Sequence, residues 1–96
     1  MLASGRAMER PDIIVISRIL EQLWKGSGPI LKTRLQLAAN LNYDILLKYL
    51  DWMQERGLVS FVINDEHEAV ALTAKGHEAY RQLVYLLRDL LAMKAK

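Results

Sequence analysis

The chain has 96 residues, 13 Lys and Arg against 11 Asp and Glu, and a net charge of +2, which fits one domain with a single modest core. It contains no cysteine, so disulfide frameworks, thiolate metal sites and cysteine nucleophiles are excluded, and a reducing, cytoplasmic compartment is expected. No segment approaches the roughly 18 apolar residues of a membrane span, and the start lacks the pattern of a signal peptide.

In chain order, residues 1–9 are expected to be a flexible N-terminus, with Met8 an alternative start. Pro11 suits a first helical turn, and Ile13, Ile16, Leu20, Leu23 and Trp24 recur at steps of three and four, predicting a helix over residues 12–25. Gly26-Ser27-Gly28-Pro29 ends it. These glycines are not a phosphate loop, because no strand precedes them and no Gly-Lys-Ser/Thr follows.

A second helix is expected at about 31–39, with Lys32 and Arg34 in its first turn. Cations there oppose the macrodipole by a few tenths of a kcal/mol, yet suit an anion held by the same backbone N–H groups. Two solvated surface cations are the alternative reading.

Asn42 reads as an N-cap and Gly57 as the residue after the C-cap of a third helix, residues 43–56. Steps of 100° place Leu46, Tyr49, Leu50 and Met53 on one face, and Asp44, Lys48, Asp51 and Glu55, net −2, on the other. Ile45, Leu47 and Trp52 widen the apolar belt. Asp44 lies one turn from Lys48, a pair worth about 0.3–0.5 kcal/mol if formed.

From Leu58 the period shortens: "LVSFVI" and "AVAL" predict a hairpin at 58–63 and 69–72 around the turn "NDEHE". Thr73 then caps a final helix over 74–94. That helix carries two apolar ridges, Tyr80, Val84, Leu87 and Leu91 beside Ala79, Leu83, Leu86 and Leu90. Their arc of roughly 160° exceeds the stripe of about 100° that one core requires, so one ridge is expected to meet a second subunit. The alternative is that both pack on the first helix. Trp24, Tyr49, Phe61 and Tyr80 are expected in the core; Trp52 and Tyr85 lie off the main stripes.

The predicted fold class is mainly α with a small β-hairpin: helix, helix, turn, helix, hairpin, helix. This is the layout of a winged helix-turn-helix over residues 10–73 followed by a C-terminal dimerisation helix, 74–96. At "KTRLQLAANLNYDILLKYLDWMQERGLVSF" and "ALTAKGHEAY" the sequence also resembles the small archaeal winged-helix proteins, which include chromatin-associated and regulator-like members. Lys32-Thr33-Arg34, Ala39-Asn40-Leu41, Tyr43, Tyr49, Gly57-Leu58, Leu72-Thr73 and Lys75-Gly76 carry the resemblance, over about residues 13–91. It implies a homodimer paired through the C-terminal helix in coiled-coil fashion, and double-stranded DNA as the partner.

Charge by segment is +2 over 30–41, −1 over 43–56 and −3 over 60–72. The acidic wing and helix face oppose nonspecific DNA coating and favour selected sites, as in a transcriptional regulator. The expected DNA contacts are Lys32, Thr33, Arg34, Tyr43 and Lys48, with the third helix in the major groove. The expected dimer contacts are Tyr80, Leu83, Val84, Leu87, Leu90 and Leu91. A rival reading is a protein-interaction module that docks a basic partner, such as a transcription-complex subunit, through the acidic wing, Leu47 and Trp52. His67 and His77 lack ligand spacing and no nucleophile-base pair is recognisable, so neither enzyme, metal nor cofactor is expected.

Overall fold

The computed structural model describes residues 10–94; the N-terminal segment 1–9 lies outside the described residues. Helix α1 spans Ile13–Lys25, capped by Asp12, whose side chain accepts from the Ile14 N–H at 2.8 Å. Pro11 thus precedes the cap instead of occupying the first turn. Ile16, Ile19, Leu20 and Leu23 are buried, whereas Ile13 at 57% and Trp24 at 40% exposure lie at the helix ends, beyond the reach of the core.

Strand β1, Ile30–Leu31, leads directly into α2, Lys32–Ala38. Two residues carry no readable periodicity, so this strand is absent from the sequence-based expectation. The turn after α2 is a Schellman motif: the Leu41 N–H donates to Gln36 O and the Asn40 N–H to Leu37 O, both at 3.1 Å. Asn40, at φ 57°, occupies the left-handed position usually held by glycine. The Asn42 side chain then accepts from the Asp44 N–H at 2.8 Å and starts α3, Tyr43–Glu55.

The third helix ends in a second Schellman motif, in which Gly57 N–H donates to Gln54 O and Leu58 N–H to Met53 O, both 2.9 Å. Gly57 has φ 76°, a conformation that costs any L side chain about 1–2 kcal/mol. Leu46, Tyr49, Leu50 and Met53 are buried, the face the periodicity predicts. The Tyr49 hydroxyl accepts from the Asp12 N–H at 2.9 Å, pinning the start of α1 to α3.

Strands β2, Val59–Asn64, and β3, His67–Leu72, complete a three-stranded antiparallel sheet in the order β1-β3-β2. The hairpin is longer than expected: Asn64 pairs with His67, leaving only Asp65 and Glu66 in the turn, at φ 54° and 66°. Positive φ at both central residues is the type I′ requirement, normally met by Asn-Gly or Asp-Gly. "NDEHE" lacks that signal, which is why the sequence reads as a five-residue turn.

Helix α4 spans Ala74–Lys94. Thr73 closes its start, accepting from the Gly76 N–H at 3.0 Å and donating to Gly57 O at 2.5 Å. Lys75 Nζ donates to Arg56 O at 2.6 Å, so one short segment secures both the end of α3 and the start of α4. Val59, Ala69 and Val70 close the core beneath the helices.

Candidate nucleic-acid interface

The turn between α2 and α3 leaves the outward face of α3 open, with Asp44, Lys48, Asp51 and Glu55 all exposed. Beside it, the starts of α2 and α3 meet strand β3 around a cleft of about 250 Å³, lined by Leu31, Lys32, Thr33, Tyr43, His67 and Glu68. Three of the five expected DNA contacts, Lys32, Thr33 and Tyr43, therefore share one concavity. Arg34 does not: its side chain lines a separate cleft with Gln22, Lys25 and Asn64. Lys48 lines neither cleft, and the Asp44–Lys48 pair is not formed among the described residues.

Lys32 is not the free cation the sequence implies. The register Leu31↔Ala69 brings the next residue of α2 alongside Glu68 of β3, and Lys32 Nζ lies 2.7 Å from Glu68 Oε1. The ammonium also sits 4.6 Å from the centre of the Phe61 ring, within cation–π range. Its side chain is 19% exposed and that of Glu68 46%, so the carboxylate lies on the solvent side. An ion pair this open stabilises the fold by no more than about 1 kcal/mol. Residues 36 apart in sequence gave no spacing signal from which the pair could have been read.

The wing tip, Asp65-Glu66, is exposed and acidic. Trp52, half-buried, carries the Arg56 guanidinium 4.0 Å from its ring centre.

Along α4 the apolar surface divides differently from the two-ridge expectation. Tyr80, Leu83 and Val84 are half-buried against their own chain. The Trp24 ring packs on Tyr80 at a tilt of 41° with centres 5.0 Å apart, and Leu83 with Ala79 and Leu86 faces Ile13, Ile16, Leu20 and Trp52 across an open apolar groove. Partial burial, followed by the negative charge of Glu21, raises the Tyr80 phenol above its ordinary 10.0. Farther on, Tyr85, Leu86, Leu87, Leu90 and Leu91 are 47–65% exposed. The split runs along the helix, first half against second, because α1 accompanies only the first half.

Among the described residues no group of three or more His, Asp or Glu could hold a metal ion, and no helix is long and apolar enough to cross a membrane.

Three packed helices, a fourth extending from the wing, and a small antiparallel sheet whose hairpin flanks an open third helix define a winged helix-turn-helix. A winged helix-turn-helix family profile matches residues 9–90, and the chain belongs to that family. In structure it is similar to a MarR-family transcriptional regulator from Silicibacter pomeroyi, with 26% identity and a TM-score of 0.71 over 79% of this chain and 52% of that one. It is also similar to Sso10a-2, a DNA-binding protein from Sulfolobus solfataricus (20% identity, TM-score 0.65, 88% of this chain and 90% of that one). The transcriptional regulator BldR from Sulfolobus solfataricus shares the fold as well (16%, TM-score 0.73, 92% and 63%). The chain thus spans about half the length of the first of these structures. No curated protein matches it.

Proposed function

We propose that the chain is a double-stranded DNA-binding transcriptional regulator that works as a homodimer, with α3 in the major groove and α4 as the pairing helix. The observation that carries this reading is the meeting of the starts of α2 and α3 with the wing strand in one cleft beside the open face of α3. Thr33 and Tyr43 offer hydroxyl donors there, and Lys32 supplies a charge once Glu68 yields it; Arg34 and Lys48 would flank this centre on the phosphate backbone. Family membership and the likeness to MarR-type and Sulfolobus DNA-binding proteins support the same conclusion. The uncovered second half of α4 supports the dimer, since contiguous exposed apolar surface on a small domain marks an interface. Two α3 helices on one DNA face would read half-sites about 34 Å apart or a multiple of that.

A fluorescence-anisotropy titration on duplex DNA at low and physiological salt tests the proposal. Saturable binding that weakens with salt is expected; no binding even at low salt would refute it. That outcome would favour the second reading, an interaction module for a basic protein partner, which the acidic wing tip and the net −2 outward face of α3 support.

A further inference from the structure

The Lys32–Glu68 contact has properties that a merely structural bridge would not need. Lys32 is held from two sides, by the Glu68 carboxylate at 2.7 Å and by the Phe61 ring at 4.6 Å. The ring comes from β2 and does not depend on Glu68, so one of the two contacts on the ammonium can persist if the carboxylate leaves. Glu68 is the more exposed partner and lines the same 250 Å³ cleft as Thr33 and Tyr43. A carboxylate and a phosphate diester present the same chemistry to an ammonium: an anionic oxygen accepting a charge-assisted hydrogen bond.

We infer that Glu68 is an intramolecular competitor for the phosphate site on Lys32, a wing carboxylate that a DNA phosphate must displace before the cation is counted in binding. This inference rests on the DNA-binding reading above and adds its regulation. Glu68 then acts as a specificity residue: backbone contact alone gains little from Lys32, and only a complex with enough other contacts to displace the carboxylate recruits it. A surface lysine without such a partner would release counterions on any sequence.

The test is a set of salt titrations on the 96-residue chain and duplex DNA, with thermal melts to verify that each variant is folded. Glu68→Gln keeps the shape and removes the competing charge; Lys32→Met removes the cation; Glu66→Gln removes a wing charge absent from the ion pairs found among the described residues. Glu68→Gln should tighten binding about five- to tenfold near 0.1 M salt and steepen the slope of log K against log salt by about 0.9. In the Lys32→Met background its effect should shrink to that of Glu66→Gln, with no change of slope. An equal gain in both backgrounds, or no gain at all from a wild type that binds, overturns the inference while leaving the DNA reading intact. If the wild type does not bind even at low salt, the DNA reading fails and this inference with it.

Discussion

Gly76 is the position at which helix propensity and packing predict opposite signs. It sits in the first turns of α4, where replacing glycine by alanine ordinarily stabilises a helix by about 1 kcal/mol. Here a Cβ would fall inside the van der Waals shell of Leu58 O and 2.7 Å from Leu72 Cδ1. Leu72 can rotate, but Leu58 O is backbone fixed on one side by the Thr73 N–H, which donates to it at 3.2 Å. Relief requires α4 to lift from the start of β2, which strains the Thr73–Gly57 and Lys75–Arg56 bonds at the same junction. Overpacking of this kind costs about 1–3 kcal/mol and loss of one hydrogen bond adds about 1 kcal/mol, which the propensity gain offsets, so Gly76→Ala should destabilise by about 1–3 kcal/mol net. For a domain of this size that is a fall in Tm of about 5–20 °C. Thermal and urea denaturation at fixed protein concentration measure it, and a Tm equal to or above that of the wild type would refute the close-approach argument.

Leu87→Glu with Leu91→Glu places charges where both side chains are exposed, 47% and 65%, so the domain should stay folded while the proposed dimer dissociates. Light scattering should then fall from twice the 11.0 kDa chain mass to one, and a variant that remains dimeric would remove the second half of α4 from the interface. Glu66→Gly relieves a left-handed residue in the wing turn and converts Asp65-Glu66 to the preferred Asp-Gly, a gain of up to about 1 kcal/mol in urea unfolding; destabilisation would count against the two-residue turn. Tyr49→Phe deletes the acceptor for the Asp12 N–H and should cost about 1 kcal/mol, with faster amide exchange at Asp12 as the local signature. Unchanged exchange there would show that the bond contributes nothing to the start of α1.

Helices were legible where the periodicity was long and the ends were chemically marked. The buried face of α3 follows from four apolar residues at steps of three, one and three, and its boundaries from Asn42 and Gly57, whose side chain and backbone freedom act within a turn of where they stand. The predicted contact set was less legible. Lys32, Thr33 and Tyr43 converge, but Arg34, only two residues from Lys32, lines another cleft, because the short α2 turns its successive side chains to different sides.

Local chemistry along the chain thus determined which segments are helical, where they stop, and that a hairpin follows the third helix, since propensity, capping and periodicity act over a few residues. Only the tertiary structure decided that a two-residue strand joins the sheet, that a wing carboxylate lies on Lys32, and that α4 is covered along its first half alone. Each of these depends on which distant segment lies alongside, and sheet register and helix length set that.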